Sequence, residues 1–163
     1  MRISKSTRHA KLTGDFAEAL VLYWLSKYGL ECARVDHTGI DIIAADPSTH
    51  RRMGISVKGR TRLEGTESSV VNIPADGFVK AKAACDAFGC IPYFAIVVDA
   101  LDTISVFIVS LEHLSELYPM RSSVCYWAMS PAALARYAAD PEVIAFSLST
   151  KGVSRWFPAN PAT

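Results

Sequence analysis

Residues 39–60 read GIDIIAADPSTHRRMGISVKGR, two runs apolar enough for the middle of a sheet, each carrying one charge: Asp41 in the first and Lys58 in the second. An acid and an amine at such positions either neutralise each other as a structural ion pair or form half of an active site. Burying either ion alone costs several kcal/mol. If the runs around 40–45 and 54–60 form a hairpin closed by 46–53, pairing Ala45 with Gly54 sets Asp41 directly opposite Lys58, and opposite residues share a face. Strand alternation adds Ser56 to that face and turns Ile55 and Val57 to the other. A carboxylate, a hydroxyl and an ammonium then meet at one end of the hairpin. Ser56 as a nucleophile has no base visible in the sequence beyond Lys58, the minimum of a Ser–Lys hydrolase. Glu18 is the only charge between Phe16 and Leu25. Interaction with a helix N-terminal dipole, worth about 0.3–1 kcal/mol, explains Glu18 alone. It does not explain two acids and a lysine in the elements that come first and pack together.

The elements that must position these residues follow from periodicity and turn chemistry. A helix is expected over 14–28, with Thr13 as N-cap and Gly29 to end it, apolar nearly all round and so packed on more than one side. Three strands follow, LECARVDH, IDIIAA and MGISVKGR, separated by His37-Thr38-Gly39 and DPSTHRR. A second helix over 77–89 shares Phe78, Ala81, Cys85 and Phe88 on one face. YFAIVV and TISVFIV read as strands, LEHLSELY and SPAALARYAA as short helices, and VIAFSLS as a last strand. This order implies an α/β sandwich around a mixed sheet.

A helix with Glu, then a strand opening G-x-D, then a strand carrying x-V-K, resembles the PD-(D/E)xK nuclease superfamily, particularly its branch of archaeal Holliday-junction resolvases. The matching residues are Glu18 in GDFAEAL, Asp41 in GIDIIA and Lys58 in ISVKGR, within about residues 13–98. The resemblance implies a restriction-endonuclease-like α/β sandwich with core order αβββαβ, in one domain over 1–163. A C-terminal elaboration would span about 99–157 and a frayed tail 158–163. It also implies a metal-dependent nuclease that hydrolyses DNA phosphodiester bonds in repair, recombination or defence. Glu18 and Asp41 would hold Mg²⁺ (or Mn²⁺), with a main-chain carbonyl near Ser56 or Val57 and waters completing the octahedron. Lys58 would orient or deprotonate the attacking water, or stabilise the phosphorane. Arg51, Arg52, Arg60 and Arg62, with Lys5, Arg8 and Lys11, would contact phosphates without reading sequence. One departure matters: the family usually has Glu or Gln two residues before the Lys, and here that residue is Ser56, a poorer ligand for a hard cation. Glu67 in GTESSV, with Glu64 close by, is the candidate for a displaced carboxylate. The alternative is a degenerate nuclease-like domain that binds nucleic acid or protein without cutting.

Half of the 163 residues are apolar, enough for one domain with a substantial core. Net charge is only +1, yet residues 1–62 hold 11 of the 17 Lys and Arg against 6 of the 16 acids, so the basic half contains the candidate site. Cys32, Cys85, Cys90 and Cys125 lack paired spacing and read as buried thiols of a cytoplasmic protein. Asp15 and Glu18 interrupt the apolar run that would make a signal peptide, and the run is too short to span a bilayer. His9, His50 and His113 show no metal spacing with the cysteines, so no zinc is assigned, and His37 reads as a solvent-facing turn residue. Trp24 reads as core, while Trp127 and Trp156 are open to base stacking. Resolvase-like relatives often dimerise, and the apolar strands after residue 93 offer a second surface for a homodimer. Residues 110–163 carry no functional reading.

Overall fold

The computed structural model describes residues 6–151. Lys5, Trp156 and the tail expected over 158–163 lie outside the described residues. The element order is α1 (His9–Lys27), β1 (Glu31–His37), β2 (Ile40–Ala45), β3 (Arg52–Arg62), β4 (Val71–Pro74), α2 (Ala75–Phe88), β5 (Ile91–Ala100), β6 (Thr103–Ser110), α3 (Leu111–Leu117), β7 (Val124–Trp127), α4 (Pro131–Ala139) and β8 (Val143–Ser149). Six strands form one sheet in the order β1-β2-β3-β5-β6-β8. Only β3 and β5 run parallel, and the segment through β4 and α2 supplies the crossover that a parallel pair needs.

Each face of the sheet has its own apolar layer. Ala17, Val21 and Leu25 of α1 pack on Ile42, Ile55, Ala95 and Val106. On the other side, Ala81 of α2 and the β4–β7 ribbon pack with Phe94, Ile96, Phe107 and Val109, joined by α3 and α4. Strand β5 is buried continuously from Phe94 to Val98 because both of its faces are covered. Deleting a side chain such as Phe94 would cost about 3–5 kcal/mol.

Two glycines set the spacing of the layers. A Cβ on Gly59 would lie 2.9 Å from the Thr13 carbonyl oxygen and 3.0 Å from the Ala17 Cβ, so α1 rests directly on β3 beside Lys58. Gly39 has φ +111°, and a Cβ there would lie 2.3 Å from the Lys80 carbonyl oxygen, so α2 presses on the residue that leads into β2.

Several boundaries differ from the sequence expectations. Helix α1 begins at His9, because Ala10, Lys11 and Leu12 are good helix formers and nothing interrupts them. Thr13 is therefore inside the helix, not at its cap, and its hydroxyl donates to the His9 carbonyl at 2.8 Å. Helix α2 starts at Ala75 and ends, as expected, at Gly89, whose φ of +64° lets the Cys90 N–H reach the Cys85 carbonyl at 2.9 Å. Strands β4 and β7 were not expected. Each is four residues long, and they find each other across about a third of the described chain. Of the apolar strands after residue 93, β5 and β6 lie inside the sheet and β8 takes its edge. No helix among the described residues is long and apolar enough to cross a membrane.

Candidate active site

The β2–β3 hairpin forms, in a register two residues away from the expected one. Ala45 pairs with Arg52, Ala44 with Met53, Ile43 with Gly54 and Ile42 with Ile55. The cause is the turn. The Asp46 carboxylate accepts from the Ser48 N–H and hydroxyl and from the Thr49 hydroxyl, and the Asp46 N–H donates to the Arg51 carbonyl at 2.9 Å. These bonds close the loop at Arg51 and bring Arg52 into the ladder. They also hold the Asp46 pKa down at about 2, the Ser48 hydroxyl contributing most. A displacement of two residues preserves strand alternation. Continued by one more pair, it sets Asp41 opposite Ser56, not Lys58.

The regular ladder stops at Ile42–Ile55, and Asp41 takes over where it stops. Its Oδ2 accepts the main-chain N–H of Val57 at 2.6 Å. On the other side, β1 bulges between Arg34, paired with Ile42, and His37, paired with Ile40, so two residues of β1 oppose Asp41 alone. Bulges re-aim side chains and sharpen the local twist. The effect shows in the neighbours of Asp41: Ile42 packs in the α1 layer, whereas Ile40 packs against Ala84 and Cys85 of α2. Asp41 thus lies at the point where the strand turns from one layer to the other.

Lys58 and Ser56 face the α2 side, beside Ile96 and Phe94 in the parallel register. The Lys58 ammonium donates to the Ser56 hydroxyl at 2.9 Å and lies 5.9 Å from the centre of the Phe94 ring, which packs on Phe78 of α2. Ser56 is 3% exposed, the one polar residue buried to that degree among the described residues. Burial pushes the Lys58 pKa down, opposed by Asp41 and reinforced by Arg60. Burial likewise pushes Asp41 up, against the Val57 N–H and the charges of Lys58 and Arg34. Asp41 makes no direct ion pair among the described residues.

Glu18 reaches this neighbourhood from α1, and its charge acts on Asp41. It is not free: Arg34 of β1 is bonded to its Oε2. Arg34 was missed from the sequence, where a single arginine in ECARVDH gives no sign of a partner on a helix. Glu18 and Asp41 are hard oxygen donors of the kind Mg²⁺ takes. A half-buried carboxylate without an ion-pair partner suits a cation, and Asp41 with Glu18 offers two carboxylates of a kind that fits a divalent ion.

The remaining candidates are dispersed. Glu67 caps its own turn, its Oε1 accepting the Gly65 N–H at 2.7 Å. Arg62 donates to the carbonyls of Ser69 at 3.0 Å and Val70 at 2.8 Å, fastening the loop that leads to β4. Arg60 donates to the Gly59 carbonyl at 2.7 Å and lines a shallow cleft with His9, Thr13 and Phe16. Arg51 and Arg52 are exposed at the start of β3, about 20 Å along the strand from Lys58 at roughly 3.3 Å per residue. Lys11 is exposed on α1. The two tryptophans among the described residues are packed: Trp24 stacks on Phe146 at 4.1 Å, and Trp127 is fully buried.

A second polar cluster lies in the segment that gave no reading. His113 of α3 meets Asp140 through Nε2 at 2.8 Å, and Glu116 and Glu142 through Nδ1 at 3.1 and 3.0 Å. Both ring nitrogens face carboxylates, the environment of an imidazolium, and the Asp140 bond leads the effects that raise its pKa. The cluster ties α3 to the turn before β8.

Against family profiles and curated proteins the sequence finds no match. Among solved structures it is similar to Archaeoglobus fulgidus Hjc, a Holliday junction resolvase from an archaeal hyperthermophile, with a TM-score of 0.54 and 17% identity over 74% of this chain and 85% of that one. The fold is restriction-endonuclease-like. In this restriction-endonuclease-like sheet the hairpin with Asp41 and Lys58 adjoins the parallel β3–β5 pair, and α1 with Glu18 covers one face.

Proposed function

We propose that this chain is a divalent-metal-dependent nuclease that hydrolyses DNA phosphodiester bonds, with recombination or repair intermediates as its substrate class. The observation that carries the reading is the Asp41–Val57 bond at the end of the β2–β3 ladder. It fixes a half-buried carboxylate to the residue before a lysine whose pKa is lowered. In a restriction-endonuclease-like fold, that pairing of acid and amine is the chemistry a phosphodiesterase needs.

Asp41 and Glu18 would hold the ion, which when bound polarises the scissile phosphate and stabilises the charge that develops on it. Asp41 is oriented by the Val57 N–H, which leaves its second oxygen for a ligand. Lys58 is brought toward a usable proton affinity by burial, and Ser56 fixes its ammonium by accepting one hydrogen bond from it. Ser56 thus serves the lysine and not the metal. Arg60, whose charge acts on Lys58, and Lys11 on α1 would contact phosphates. Arg51 and Arg52 would contact a more distant stretch of a bound duplex or arm.

The test is cleavage of plasmid, single-stranded and four-way-branched DNA with Mg²⁺ or Mn²⁺, comparing wild type with Asp41→Ala and Lys58→Ala. Loss of cutting in both variants with folding intact is expected; activity surviving both, in nuclease-free preparations, removes the mechanism. A second reading, a nucleic-acid-binding module that no longer cuts, is favoured by Ser56 in place of an acid and by the engagement of Glu18 with Arg34. Salt-sensitive binding of branched DNA by wild type without cutting would establish it.

A further inference from the structure

The cation in direct contact with an acid at this site is Arg34, not Lys58. Its guanidinium is bonded to Glu18, the side chain proposed above as the second metal ligand. Three features make the contact more than an incidental surface pair. Arg34 pairs directly with Ile42, which packs in the α1 layer, so regular strand pairing puts its side chain on the face that α1 covers, one residue along from Asp41. Its charge is favoured by Glu18 first, and also by Asp15 and Asp41, so three acids share one guanidinium. The pair is open to exchange: the Arg34 side chain is 49% exposed and that of Glu18 26%.

Resting on the nuclease reading, we propose that Arg34 is a built-in counter-cation that competes with the divalent ion for Glu18. Before loading, the guanidinium neutralises Glu18 and reduces the repulsion between Glu18 and Asp41 across the layers. A carboxylate that takes Mg²⁺ or Mn²⁺ into direct coordination gives its charge to the ion. A guanidinium held beside it then meets a like charge, so loading requires Arg34 to leave. Exposed Arg–carboxylate pairs are weak, so the exchange is reversible and shifts affinity by a small factor. Arg34 is thus a positioning residue that sets the metal concentration at which the site fills.

The experiment is Mn²⁺ binding to the full chain, followed by electron paramagnetic resonance and calorimetry at neutral pH, without DNA. Wild type, Arg34→Gln, Arg34→Lys and Asp41→Asn are compared, with melting curves to establish folding. Arg34→Gln should tighten the Asp41-dependent site by about 3–5-fold, and Arg34→Lys, which keeps the charge, should stay within about twofold of wild type. Unchanged or weaker binding in Arg34→Gln would mean that Arg34 only holds Glu18 in place for the ion, and overturns the inference while leaving the proposed function standing. Equal tightening in both Arg34 variants overturns it as well, since charge would not be the cause. If no Mn²⁺ binding is lost on changing Asp41, the metal site itself is wrong, and both readings fall together.

Discussion

Asp41 and Val57 are joined by a 2.6 Å hydrogen bond from the Val57 N–H to the Asp41 carboxylate, in the position where the next rung of the β2–β3 ladder would have been. A side chain does there what backbone does elsewhere in the hairpin, so the acid is held as firmly as a strand residue while keeping one oxygen for chemistry. Asn can also accept that bond, which makes Asp41→Asn a clean probe. Metal-dependent cleavage should fall at least about 100-fold. Stability should move the other way. The folded-state pKa of Asp41 is raised, so the folded protein is penalised as pH rises from the unfolded value near 3.8 through the higher folded one. Asp41→Asn removes the penalty, and its Tm at pH 7 should exceed wild type by about 2–4 °C. The gain should vanish below about pH 4.

Lys58 should appear in the pH profile of cleavage. Its pKa is lowered by burial, so the limb of kcat/KM that rises with pH should lie below the ordinary lysine range near 10.5. Ser56→Ala removes a bond to the charged ammonium and should shift that limb lower still, at a stability cost of about 1–2 kcal/mol. Lys58→Arg should abolish the limb with a loss of about 10²–10⁴ in rate. A limb unmoved by Ser56→Ala would assign it to another group.

His113 predicts a second pH effect, away from the site. Its folded pKa is raised above 6.5, chiefly by the Asp140 bond. Its contribution is therefore complete below the unfolded value and is lost as pH climbs through the higher folded value. Wild-type Tm should decline across the window that opens near 6.5, and His113→Gln should flatten it without altering DNA cleavage at a fixed pH. Melting curves at closely spaced pH values measure this.

Arg62 and Arg60 should separate. Arg62 spends its guanidinium on the carbonyls of Ser69 and Val70, so Arg62→Ala should increase amide exchange and proteolysis over 63–70. It should leave the salt dependence of DNA binding nearly unchanged. Arg60→Ala should reduce the slope of log K against log salt by about 0.9, the value for one phosphate contact. Salt titrations of binding to branched DNA distinguish the two.

The layered sheet, the order of its first elements and the charges at Asp41 and Lys58 were legible because they rest on short-range patterns: alternation in IDIIAA, turn residues around Asp46, and apolar stripes on the helices. The register was not, because it depends on how tightly Asp46 caps its turn, a three-dimensional matter of hydroxyl placement. Strands β4 and β7 escaped notice because four residues give too little alternation to read and their pairing spans distant chain segments. Arg34 was invisible for a related reason: its meaning comes from a helix partner 16 residues earlier, which no local pattern announces. The basic residues misled differently. Closeness in sequence suggested one patch, but an extended strand separates Arg52 from Lys58, and Arg62 is consumed by backbone.

Ile40 and Ile42, on either side of Asp41, are anchored in opposite apolar layers. Fraying of the first hairpin therefore cannot proceed by peeling from one side, as an edge ribbon ordinarily would. It has to unseat both layers together. The carboxylate is in effect riveted through the thickness of the molecule, and amide exchange near it should follow global unfolding rather than local breathing.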